Sequence, residues 1–318
     1  MKDTLYIGSM EIPSGVKIND YYEVPKTVYK IPITVLNGKQ DGKIILITSG
    51  IHGGEYPGVQ TAIELAQELC AEEIYGALII LHPVNTGAFF KSVANVIPED
   101  GENLNLVFPG TMSGTITHKI AFSITKDFHN IADFHIDLHG GDVNELVTPF
   151  VYYPGVAEQS VSNMARECAS VINCNYMVRS IVTQGAFNSA AAQGIPSLLI
   201  ERGGSGLWSR QEVEVYKEDV TNILKKLCVL DGEPVLPKQM PKEIRNAFYI
   251  DSKVNGCWYP VVQVGQIVKE GAYLGEVRDF FGKTLVEYHA PRNVVVLYMT
   301  VTLGIESGTS LIALGILD

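Results

Sequence analysis

Residues 44–69 read IILITSGIHGGEYPGVQTAIELAQEL, and the order of patterns within them decides the fold class. The unbroken apolar run at 44–47 has the character of a strand buried on both faces. Over 57–69 the apolar residues fall at helical spacing, with Pro57 near the first turn, where its missing N–H costs nothing. A strand, a glycine-bearing loop and a helix therefore follow one another. Upstream, short β-like runs are separated by turn signals, among them Asn37-Gly38 and Asp41-Gly42, which favour positive φ and reversal of the chain. Downstream, apolar runs recur at 77–81, 134–138 and 197–200, beside helical stretches at 156–171 and 211–227. Such alternation predicts an α/β fold with a mixed, mostly parallel sheet covered by helices.

From 231 the texture changes. DGEPVLPKQMPK (231–242) bears prolines and lysines, and after it come short β-branched or aromatic runs separated by Gly-containing turns. The expected organisation is a catalytic domain over 1–235 and a small C-terminal all-β domain, barrel or sandwich, over 236–318.

Composition narrows the function. The 318 residues are 46% apolar, ample for a large core, and the formal net charge of −11 argues against nucleic acid or an anionic membrane as partner. The opening MKDTLYIGSM lacks an apolar signal core, and no later apolar run approaches the roughly 20 residues needed to cross a bilayer. A soluble, cytoplasmic protein is expected. The five cysteines are irregularly spaced with no C-x-x-C, so neither a disulfide framework nor a thiolate zinc site is indicated.

Ligands of open α/β sheets bind outside the carboxyl ends of the strands. His52 and Glu55 lie in the loop after the run at 44–47, His139 directly follows 134–138, and Glu201 directly follows 197–200. Three strands thus deliver candidate ligands or bases to one edge. An isolated H-x-x-E carries little weight, but three strand-end matches in order carry more. Two imidazoles and a carboxylate are a common catalytic zinc set that leaves a position for water, whereas closed structural sites more often use thiolates. One zinc ion per chain, held by His52, Glu55 and His139, is therefore expected. Glycines 53 and 54 allow the loop to turn sharply. Asp137, two residues before His139 on the same strand face, is placed to support an imidazole. His82 is read as a hydrogen-bonded structural histidine, and His118, His129, His135 and His289 as surface or packing residues.

At these positions the chain resembles the succinylglutamate desuccinylase/aspartoacylase family of zinc hydrolases, relatives of the zinc carboxypeptidases. SGIHGGEYPG (49–58) is similar to the family's first zinc motif, DGENLNLVFPG (100–110) to its substrate-binding stretch, IDLHGG (136–141) to its second zinc motif, and LLIERGG (198–204) to the segment with the general base. The resemblance covers nearly the whole chain and implies ligands His52, Glu55 and His139, the base Glu201, and a C-terminal β domain bordering the site. Where the family reads D-L-N-R this chain has Asn103, Leu104, Asn105 and Leu106. Asn105 is retained, but the arginine that binds a substrate carboxylate is replaced by Leu106, and an aliphatic side chain cannot imitate a bidentate guanidinium. Arg202 is a further cationic candidate at the substrate.

These readings converge on a zinc-dependent deacylase that cleaves an N-acyl amino acid or related small acyl amine. The alternatives are a carboxypeptidase-like peptide hydrolase and a zinc-binding sensory or binding protein that has lost catalysis. Apolar runs such as 294–298 are also consistent with strand pairing between subunits in a homo-oligomer.

Overall fold

The computed structural model describes residues 4–317. A nine-stranded sheet forms its frame, built from β1 (Val16–Glu23), β2 (Lys30–Asn37), β3 (Gln40–Ser49), β4 (Tyr75–Leu81), β5 (Phe134–His139), β6 (Phe150–Pro154), β7 (Tyr176–Ser180), β8 (Ser197–Glu201) and β9 (Lys242–Ile244). Their spatial order is β9-β7-β6-β8-β5-β3-β4-β2-β1. The central β4-β3-β5-β8 block is parallel throughout, as are β6-β7 and β7-β9, while β6-β8, β2-β4 and β1-β2 are antiparallel. The six α-helices are α1 (Tyr56–Glu68), α2 (Thr86–Lys91), α3 (Ile116–Ser123), α4 (Gln159–Ala169), α5 (Ala186–Ala192) and α6 (Arg210–Lys226). None of the described helices is long and apolar enough to cross a membrane.

Period-two alternation assigns each strand's side chains to two cores. Ile45 and Ile47 of β3, Phe134, Ile136 and Leu138 of β5, and Leu198 and Ile200 of β8 pack with α1, α4 and α6. Ile44 and Leu46 of β3 face the opposite core, with α3 and the segment after it. On that second face β5 carries His135, Asp137 and His139, all buried. The strand is thus apolar on one side and ionisable on the other.

Of the two turn signals, Asn37-Gly38 does mark a reversal of the chain, but neither Gly38 nor Gly42 has positive φ. β2 and β3 run in opposite directions, but β4 lies between them, so Asn37-Gly38 closes no hairpin. Gly38 is required by close approach, since a Cβ there would stand 1.9 Å from the Ile74 carbonyl oxygen. Asp41 and Gly42 lie within β3, at the irregularity in its pairing with β4.

The C-terminal segment supplies four strands, Val294–Thr300 among them, of a five-stranded antiparallel sheet and all of a four-stranded one, around a separate apolar core. The sheet boundary does not fall at 235/236. β9, beyond that point, completes the edge of the large sheet, and Glu145–Val147 from the first half pairs with Val294–Thr300. The two β-sheet systems are therefore stitched together by an exchange of short strands.

Arg202 is not a substrate residue in this fold. Its guanidinium is buried against α6, where Nε donates to Asp219 Oδ2 at 2.8 Å and Nη2 donates to the Asn173 carbonyl at 2.5 Å. A buried cation is tolerated because a buried anion meets it, and removing one partner leaves the other uncompensated. Asp219→Ala is expected to lower unfolding stability by about 3–5 kcal/mol, measured by urea denaturation; a loss indistinguishable from zero would show that the pair does not anchor α6.

Candidate metal centre and active site

Parallel register sets the site. β5 pairs with β3 so that Thr48 stands beside Asp137, and with β8 so that Glu201 stands beside His139. From α6 the Tyr216 hydroxyl reaches the carbonyl oxygens of His139 and Ile200, at 2.9 and 2.7 Å, and so ties the ends of β5 and β8 to the helix layer.

The loop after β3 brings His52 and Glu55 to the same edge. Glu55 occupies the N-cap position of α1, yet its carboxylate makes no capping hydrogen bond. It turns instead toward two imidazoles: Oε1 is 2.8 Å from His52 Nδ1, and Oε2 is 3.0 Å from His139 Nδ1. The helix N-terminus favours negative charge at this position. The loop does turn at Gly53-Gly54, where the Glu55 N–H reaches the His52 carbonyl at 3.4 Å, but both glycines have ordinary φ and the loop's positive φ belongs to Gly50. They are glycines because of neighbours: a Cβ on Gly53 would stand 2.3 Å from the Phe89 amide nitrogen, and one on Gly54 would stand 2.0 Å from Asp142 Oδ1.

The far nitrogen of each imidazole faces an acceptor. His52 Nε2 lies 3.2 Å from Asn103 Oδ1, and His139 Nε2 lies 3.2 Å from Asp137 Oδ2. The direct Nδ1–carboxylate contacts need a proton on Nδ1; with the proton on Nε2 instead, both Nδ1 lone pairs would be free for a cation beside Glu55. Glu55 Oε2 is buried with no hydrogen-bond partner. Ligand atoms of His52, Glu55 and His139 lie within 4.8 Å of one another. Convergent lone pairs and an unsatisfied buried oxygen fit a cation, so these three residues could hold a metal ion.

The electrostatics point the same way. Burial opposes charge on His139, but the carboxylates of Glu55 and Asp137 outweigh it and hold the imidazole well above its ordinary pKa. Burial also opposes ionisation of Glu55, and the two histidines overcome it, keeping the carboxyl below the usual range. For Asp137 burial is again outweighed, chiefly by His139, and the carboxyl sits at about 2. Glu201 behaves differently: burial, then the Glu55 carboxylate, push it well above the ordinary carboxyl range. One carboxylate is thus committed to its histidines while the neighbouring one is poised to bind a proton.

These groups open onto a cavity of about 740 Å³ whose lining includes His52, Glu55, His139, Glu201, Asn105 and Leu106. Asn105 is anchored at the wall, its Oδ1 accepting from the Ala186 N–H at 2.9 Å. The C-terminal sheets supply Tyr249 and Tyr298 to the same lining, and the Tyr298 hydroxyl donates to Glu145 Oε1 at 3.0 Å. Arg202 lies outside it, in the ion pair described above.

Several participants escape sequence reading. Asn103 holds His52 from 51 residues away, and Glu145 belongs to no motif. Behind the ligands, Thr48 Oγ1 donates to Asp137 Oδ1 at 2.6 Å and lies 2.7 Å from His135 Nε2. His135 is therefore part of the support of the site as well as packing. A signal for it existed, since 135, 137 and 139 share one face by strand periodicity. His82 lies 3.0 Å from Thr34 Oγ1, in keeping with a structural role.

Residues 41–227 match the succinylglutamate desuccinylase/aspartoacylase catalytic domain. The chain is 30% identical over 273 residues to the N-alpha-acetyl-L-2,4-diaminobutyric acid deacetylase of Halomonas elongata, an alignment spanning 83% of this chain and 79% of the relative. It superposes on the product-bound ectoine utilization protein EutE (DoeB) of Ruegeria pomeroyi with a TM-score of 0.84 and 26% identity, covering 95% of this chain and 94% of the other. A succinylglutamate desuccinylase from Silicibacter sp. TM1040 superposes with a TM-score of 0.81 and 27% identity, over 94% and 93% of the two chains. With more than half of this chain matched to the family's catalytic domain, and the mixed sheet and C-terminal β domain shared with these structures, the chain belongs to the succinylglutamate desuccinylase/aspartoacylase family.

Proposed function

We propose that the chain is a zinc-dependent amidohydrolase that removes the acyl group from an N-acyl amino acid or a related small acyl amine. The observation that carries this reading is the Glu55 carboxylate lying between the Nδ1 atoms of His52 and His139, with Glu201 in register beside His139. The similarity to the Halomonas elongata deacetylase supports amide hydrolysis as the chemistry.

His52, Glu55 and His139 would hold the zinc. When bound, zinc polarises a carbonyl and makes water a nucleophile near neutral pH. Glu201 in its carboxylate form takes a proton from the attacking water, and burial beside Glu55 raises its affinity for that proton. As the new carbon–oxygen bond forms and the amide C–N bond breaks, the same carboxyl delivers that proton to the departing nitrogen. The products are a carboxylic acid and an amine. Asn103 bonds to His52 Nε2, the Asp137 carboxylate lies 3.2 Å from His139 Nε2 and favours a proton there, and Thr48 steadies Asp137. Asn105, fixed through its Oδ1, keeps its amide N–H group for the substrate.

Glu201→Gln is expected to lower kcat by roughly 10²–10⁴-fold with metal content unchanged, and undiminished turnover would remove Glu201 from the role of base. Dialysis against a chelator should abolish hydrolysis, and stoichiometric zinc should restore it; an enzyme fully active without metal contradicts the reading. Asp137→Asn should weaken zinc binding by roughly 10–100-fold, read by competition with a chromophoric chelator.

A further inference from the structure

The side chains lining the cavity distribute charge unevenly. Glu55, Glu145 and Glu201 all line it, and the one Lys or Arg in its described lining is Arg179. That guanidinium is not aimed at the substrate space. Met177 belongs to the core on the α1, α4 and α6 face, whereas Val178 packs with Phe150 and Tyr152 on the cavity side. Alternation therefore sends Arg179 with Met177 to the far face. There its side chain lies over Gly155, Cγ 2.5 Å from where a Cβ would stand, and Nη2 donates to the Gly155 carbonyl at 2.7 Å.

The cavity also has an apolar border. Leu106, Ile181 and Val182 line it and are 66, 58 and 52% exposed. Three aliphatic side chains that exposed at one opening gain stability when an apolar portion of a ligand covers them. A substrate carboxylate at this opening would meet the aliphatic groups and, in the described lining, no inward-facing guanidinium or ammonium, so its lost hydration has no salt-bridge replacement there.

We propose that this cavity selects acylated amines without a carboxylate over acylated amino acids, with Leu106 as the specificity-determining residue. The inference rests on the deacylase reading and narrows it. In this respect the chain differs from its Halomonas elongata relative, whose named substrate is itself an amino acid.

A matched pair tests this with the acyl group held constant: Nα-acetyl-L-2,4-diaminobutyrate and its decarboxylated counterpart, N-acetyl-1,3-diaminopropane, each offered to the zinc-loaded full chain. The expected result is a kcat/KM ratio of about tenfold or more in favour of the diamine. Leu106→Arg should shift that ratio by about tenfold or more toward the carboxylate-bearing substrate, with an unchanged melting temperature confirming that the variant folds. Equal rates for the pair, a preference for the amino acid, or a ratio unmoved in a folded Leu106→Arg protein would each overturn the inference while leaving the deacylase reading intact. If neither compound is hydrolysed, the deacylase reading fails for this acyl group. Calorimetric Kd values on zinc-loaded Glu201→Gln then decide the selectivity alone: tighter diamine binding supports it, and tighter or equal binding of the amino acid overturns it.

Discussion

The parallel register of β3, β5 and β8 is the constraint on which everything else in this protein depends. A slip of one residue in either ladder would turn His139 or Glu201 into the apolar core packed by α1, α4 and α6. That core resists the slip: Ile45 and Ile47, Ile136 and Leu138, and Leu198 and Ile200 all face it and are fully buried. The cost of exposing them pins the strands, and the pinned strands align Thr48 with Asp137 and His139 with Glu201. Hydrophobic burial on one face thus supplies the positional precision of the ionisable groups on the other.

Within that frame, charge is arranged so that no group is indifferent to its neighbours. Glu55, Asp137 and His139 are buried, where each alone would be driven neutral, yet together they favour charged forms. Glu201 lies at the end of the adjacent strand, where burial and the nearby Glu55 carboxylate raise its proton affinity. Two carboxyl groups a strand apart acquire opposite proton affinities from their surroundings, the separation of roles that acid–base chemistry requires. The glycines of the HGGE loop serve the same end by admitting backbone and Asp142 where a side chain would hold the loop away.

The cavity belongs to both sheet systems. The large sheet contributes the ionisable wall, whereas Tyr249 and Tyr298 come from the C-terminal sheets, with Tyr298 bonded back to Glu145. Glu145–Val147 is the strand that pairs with Val294–Thr300, so the hydrogen-bond ladder joining the two systems runs directly beside the substrate space. The C-terminal sheets are therefore part of the pocket's wall.

The elements that sequence alone determined are those with a strong local period or composition. The apolar run at 44–47 and the helical spacing after Pro57 reappear as β3 and α1, and strand-end placement of His52, Glu55, His139 and Glu201 follows from chain order. Sequence could not show which polar groups meet across long separations, because hydrogen bonds and ion pairs depend on distance in space. Arg202 looked available because Asp219, 17 residues on, becomes its partner only when α6 packs beneath β8. Asn37-Gly38 marked a reversal that does occur, but nothing local reveals that β4 inserts between β2 and β3. Leu106 was legible as a departure from the family, but its company of Ile181, Val182 and an inward-facing set of carboxylates was decided by tertiary structure, which alone turns Arg179 to the other side of the sheet.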